Sequence, residues 1–218
     1  MAAVSETIVR EYFELNGFLV RQLRKYVAPG SRDDDDVDFL ALNPQPQATV
    51  TERPFLLGSS DLVFIERAIV ILKAWHTDVF TPALLTNTPD FFRFLEKKAG
   101  RQAAAGFGKS GAPLKILIVP ALPQEAQARD QSIAILRSKG LDAAVSFRTI
   151  LSDLVTHVEA NRNYSKSDLL QLIRILKNYD FFKEPQLDLF RTKRKRAKKI
   201  QSAKEPTTAN PDTTNPLA

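Results

Sequence analysis

Apolar residues recur along this chain in two rhythms, and the change from one to the other marks its elements. Val9, Tyr12 and Phe13 fall at helical spacing while Glu6, Arg10 and Glu14 share a polar side, so an amphipathic helix is predicted, capped by Ser5 and stopped by Gly17. Phe18, Leu19 and Val20 then open an extended stretch towards Tyr26, and PGSRDDDD at 29–36 reads as a polar turn. In DVDFLALNP, Val37, Phe39 and Ala41 alternate against Asp36, Asp38 and Leu40; this strand pattern ends at Asn43-Pro44, because proline has no amide to donate.

Residues 44–60, rich in Pro, Gln and Thr, are expected to form a loop or arm. The aliphatic run from Ala68 to Leu72 predicts a central strand covered on both faces. Asn87 or Thr88 with Pro89 predicts a helix start leading through DFFRFLEKKAGRQ, and GFGKSGAP at 106–113 a connector. A second buried strand is expected in LKILIVPAL (114–122), then a helix over 124–136 closed by Gly140, then a short strand, AAVSF, at 143–147. Two helices over 148–182, separated by EANRNYSKSD, leave Ile173, Leu176, Tyr179, Phe181 and Phe182 available for packing.

The pattern is that of an α/β chain with a mixed central sheet flanked by helices and with C-terminal helices. Three regions are expected: an α/β core over 1–147, a helical extension over 148–190 and a tail over 191–218. With 218 residues and 44% hydrophobic content the chain can fill one core of ordinary size. The absence of cysteine excludes disulfides, thiolate zinc sites and a cysteine nucleophile, and leaves His76 and His157 as the only imidazoles. Acidic groups precede any long apolar run, and no stretch approaches the roughly 20 apolar residues of a membrane helix, so a cytoplasmic chain without membrane contact is expected.

Charge changes the picture only at one end. Eight of the 31 basic and two of the 25 acidic residues lie from Arg191 onward, which leaves 23 of each in the rest. The whole net charge of +6 thus belongs to a tail containing RTKRKRAKK, with Arg191, Lys193, Arg194, Lys195, Arg196, Lys198 and Lys199, followed by a Pro/Thr/Asn-rich end. Such a tail is expected to be disordered and to attract polyphosphate by counterion release without sequence preference, or else merely to solubilise the chain.

The order helix, strand, Asp-bearing strand, Lys-bearing strand, helix, strand resembles the restriction-endonuclease-like, or PD-(D/E)XK, fold with its αβββαβ core, and is similar to small resolvase-type nucleases. The resemblance covers about residues 5–147. It rests on Glu6 in the opening helix, NGFLV at 16–20, DVDFLAL at 36–42 and VILKAWH at 70–76. It implies a magnesium- or manganese-dependent hydrolase acting on DNA. Asp38 would hold the metal and Lys73 would orient or deprotonate the attacking water, with the ion neutralising developing charge. The family's second carboxylate belongs two residues before the lysine, where this chain has Ile71.

Asp38 alone would hold magnesium weakly. Asp36, two residues away on the same strand face, and Glu6, from the first helix, are the preferred substitutes. Glu66 stands roughly 23 Å from Lys73 along a strand at about 3.3 Å per residue, and reaches the site only if the chain bends. Trp75 and His76 follow the lysine directly and are candidates for stacking on a base or contacting phosphate. Each of these residues also has a plain structural reading: Asp38 as a turn cap, Lys73 as the place where a strand meets water, Trp75 as core, His76 as an exposed side chain. GFGKSGAP lacks phosphate-loop spacing and reads as a linker. Two functions follow: a metal-dependent DNA endonuclease, or a catalytically silent protein of the same fold that binds nucleic acid or a protein partner, a second copy of itself included.

Overall fold

The computed structural model describes residues 2–23, 37–48, 53–88, 91–92, 95, 107 and 112–182. They form a compact unit that ends at Phe182. The turn at 29–36 with Asp36, most of the helix expected after Pro89, and the basic run with Arg191, Lys193, Arg194, Lys195, Arg196, Lys198 and Lys199 lie outside the described residues.

The first helix, α1 (Ala2–Leu15), begins before Ser5, which therefore sits within the first turns rather than capping them. Val9, Tyr12 and Phe13 are its buried stripe, as their spacing predicts. Gly17 follows at φ +84, a left-handed conformation that glycine adopts without strain, and turns the chain into β1 (Leu19–Gln22). Next come β2 (Phe39–Leu42), a 3-10 turn (Ser59–Phe64) and β3 (Arg67–Leu72). They are followed by α2 (Pro82–Asn87), β4 (Leu114–Val119), α3 (Ala126–Ser138), β5 (Ala143–Ser146), α4 (Phe147–His157) and α5 (Asp168–Asn178).

The strands form one mixed sheet in the order β1-β2-β3-β4-β5. The first three make an antiparallel meander, and β4 and β5 add in parallel after helical crossovers. Both faces are covered. Ala68, Val70, Ile116, Ile118, Ala143 and Val145 face one core with α1, α4 and α5, while Ile69, Ile71, Leu117, Val119 and Ala144 face a second core with Phe80, Leu85 and Leu136. This is why β3 and β4 read as unbroken apolar runs rather than alternating ones. β2 is buried on both faces as well, with Phe39 and Ala41 in the first core and Leu40 in the second.

A helix not singled out in the sequence, α2, starts at Thr81, whose hydroxyl accepts the Leu84 amide, with Pro82 in the first turn. Past its end the Phe91 amide donates to the Thr88 carbonyl, and most of the helix expected from Asn87 or Thr88 onward lies outside the described residues. Two expectations need correction. The stretch 44–60 is not loop throughout: Leu56 bridges Ala144 in parallel, the Leu57 amide donates to the Ala144 carbonyl and the Ala144 amide to the Phe55 carbonyl, so this segment lines the outer edge of β5. Phe147 belongs to α4, not to β5, because Ser146 accepts the Thr149 amide and caps the helix there. Among the described residues no helix is long and apolar enough to cross a membrane.

Candidate functional site

β1, β3, β4 and β5 run in one direction and β2 in the other, so Gln22, Asp38, Lys73, Val119 and Ser146 all mark the same end of the sheet. That end is where α/β sheets bind ligands. α1 begins there too. Ser5 Oγ lies 2.8 Å from His76 Nε2, and Gln22 Nε2 donates to Glu6 Oε2 at 2.7 Å. Glu6, Asp38, Lys73 and His76, read separately from the sequence, thus belong to one edge of the molecule.

Asp38 is half-buried just ahead of β2. Its amide donates to the Val70 carbonyl at 3.2 Å, and its carboxylate Oδ2 accepts the Leu72 amide at 2.6 Å. The side chain therefore does what a backbone carbonyl would do if the β2–β3 ladder continued. A charged acceptor on a backbone amide is one of the stronger hydrogen bonds available. Carrying the register one step past Phe39 opposite Val70 sets Asp38 across from Ile71.

Ile71 is 1% exposed and packs among Leu40, Leu117 and Phe91 in the second core. The position two residues before Lys73 is thus filled by hydrocarbon. Lys73 is 2% exposed, with its amide donating to the Ile118 carbonyl and its ammonium 5.6 Å from the centre of the Phe91 ring. A ring face attracts a cation and offsets part of the cost of taking it out of water. Phe91 in turn meets Phe80, Phe92 and Trp75 edge to face, with centroids 4.9–5.6 Å apart. Trp75 is accordingly half-buried in this aromatic cover.

His76 is exposed, and its ring lies 4.5 Å from that of Phe147 as well as against Ser5. Glu66 sits at the opposite end of β3, where its carboxylate accepts from Arg67 Nε and Nη2 at 3.1 and 2.7 Å; the chain does not bend it towards Lys73. Among the described residues there is no group of three or more His, Cys, Asp or Glu that could hold a metal ion. Asp38 and Glu6 are each committed to a hydrogen bond within the fold. The residues described do not fit a magnesium or manganese centre.

A cavity of about 340 Å³ lies elsewhere, at the far end of β4 and β5, lined by Arg53, Leu57, Pro113, Leu114 and Asp142 among others. It shares no residue with the Asp38–Lys73 edge, and its one carboxylate, Asp142, already accepts the Lys115 amide. Sequence reasoning missed a buried polar group on the first face. The Tyr12 hydroxyl lies 3.2 Å from Ser59 Oγ, and burial pushes it from its ordinary 10 up to about 12, against the lowering effect of that hydrogen bond. Helical spacing predicts only that the Tyr12 ring is buried.

No protein-family model matches the chain, and neither a curated protein nor a solved structure matches it.

Proposed function

We propose that this chain is a nucleic-acid-binding protein with a nuclease-like core whose hydrolytic position is closed. The observation that carries this reading is Ile71, buried in the core opposite Asp38 where the nuclease pattern needs a carboxylate. The antiparallel meander followed by a parallel crossover supports the nuclease-like part. Lys73, 2% exposed and with its ammonium against the Phe91 ring, is badly placed to meet a phosphate. Binding is assigned instead to the basic run, in which seven of the nine residues from Arg191 to Lys199 are Lys or Arg. DNA in the cytoplasm is the natural partner on this reading.

The test is to incubate the full chain with duplex, single-stranded and branched DNA in magnesium and then in manganese, following cleavage and binding together. We expect no cleavage, with binding that weakens steeply as salt rises, by a slope of up to about 0.9 in log affinity per neutralised phosphate. Replacing the seven cations of the run by Gln should flatten that slope and weaken binding on every sequence alike. Metal-dependent cleavage abolished by Asp38→Asn would overturn the closed-site reading and restore the hydrolase; that reading draws on Asp38, Lys73 and Glu6 sharing one sheet end.

A further inference from the structure

We propose that the outer face of α5 is a homodimer interface, in which two copies pair antiparallel through Ile175 and Tyr179. A surface helix ordinarily turns its apolar stripe inward and its cations to water. α5 does bury Leu170 and Ile173, but its two cations are also held by the protein: Arg174 Nε donates to the Ala160 carbonyl at 3.0 Å, and Lys177 Nζ to the Val155 and Val158 carbonyls at 2.6 Å each. The face left to solvent carries Leu172, Ile175 and Tyr179, exposed by 53, 42 and 74%. These follow each other by three and then four residues, the spacing of a helix-pairing seam.

The end of the helix extends the same surface. Asp180 takes φ +62, its amide donates to the Lys177 carbonyl and the Phe181 amide to the Leu176 carbonyl, a closing turn that delivers Phe181 and Phe182 just past the helix at 74 and 42% exposure. At roughly 150–250 Å² per buried aromatic, Tyr179, Phe181 and Phe182 expose on the order of 400 Å². Half of the about 800 Å² that each partner contributes to a stable interface is therefore supplied by three rings. Leu172, Ile175 and the flanking residues can furnish the remainder.

The pattern itself selects a second copy as the occupant. A two-fold interface must be complementary to itself. Ile175 and Tyr179 stand two residues either side of Lys177, whereas Phe182 lies beyond the turn at Asp180. Antiparallel pairing about Lys177 then sets Ile175 against the partner's Tyr179, an aliphatic side chain against a ring, and brings Leu172 towards the partner's aromatic end. Within residues 1–190 charge is balanced, at 23 basic and 23 acidic groups. This inference does not rest on the nucleic-acid reading, and either can fail without the other.

The full chain, run at micromolar concentration in size-exclusion chromatography with light scattering, should show twice its 24.4 kDa monomer mass. Tyr179→Asp and, separately, Ile175→Asp should each halve that mass while leaving the far-ultraviolet circular dichroism unchanged. Because the chain has no cysteine, register is testable directly: the double variant Ile175→Cys/Tyr179→Cys should cross-link with diamide, and neither single variant should. A monomer at every concentration, as expected if some other protein covers this face, would overturn the proposal. So would a dimer that survives both Asp variants, or cross-linking by the single Ile175→Cys variant.

Discussion

Asp38 has two roles available to it, and its hydrogen bond to the Leu72 amide separates them by stability rather than activity. Asp38→Ala leaves that amide without its acceptor at a half-buried position and should cost about 1–3 kcal/mol, whereas Asp38→Asn keeps a carbonyl oxygen and should lose less than about 1. Urea unfolding midpoints of the two variants check the order. Tyr12 predicts a pH effect of definite sign. Its hydroxyl ionises near 10 in the unfolded chain and near 12 when folded, so the stability it contributes is complete below pH 10 and is lost between about 10 and 12. Two units correspond to about 2–3 kcal/mol at most, and the same titration with Tyr12→Phe should lack this component. Asp38 and Lys73 stand out in the sequence through the resemblance, which pairs an aspartate on one strand with a lysine closing the next. The pairs Ser5–His76 and Glu6–Gln22 did not, since residues 71 and 16 apart in the chain are brought together only by the packing of α1 on the sheet.

The strands were legible because burial on two faces imposes an apolar run, and β3 and β4 carry one each. Helix ends were harder to read, and α2 shows the reason. Thr81-Pro82 carries the same start signal as Thr88-Pro89 seven residues on, and what sets α2 in place is tertiary: the Phe80 amide donates to the Ala121 carbonyl after β4, fixing the chain just before the helix. Caps also differ in what stands behind them. Ser146 and Ser167 both accept an amide three residues on, but Ser167 Oγ also donates to Glu11 Oε1 at 2.7 Å, joining α5 to α1. Losing an N-cap costs about 0.5–2 kcal/mol, and leaving a buried carboxylate unpaired adds a further penalty of about 1–3. Ser167→Ala should therefore destabilise by more than Ser146→Ala, and denaturant unfolding of the two variants measures the difference. Nothing in the sequence joined Glu11 to a serine 156 positions away.

Taken whole, the molecule is a neutral folded body whose excess charge is confined to one end of the chain. Since the compact unit closes at Phe182, removing residues 183–218, which hold nine Lys/Arg and four Asp/Glu, should leave the thermal midpoint of unfolding within a few degrees of the full chain while lowering the net charge from +6 to +1. A loss much larger than that would mean the folded unit extends beyond Phe182. Composition alone sets the basic run apart from the rest of the chain; the exposed face of α5 is not legible in it, because Leu172, Ile175 and Tyr179 look like any inward stripe until Arg174 and Lys177 are seen turning towards carbonyls. The aromatic cover over Lys73 carries a different kind of consequence. A primary amine that solvent barely touches is shielded from acylating reagents, so the modification rate at Lys73 counts the moments when Phe91 lifts away, a chemical clock for the breathing of the second core that needs no ligand and no assay of activity.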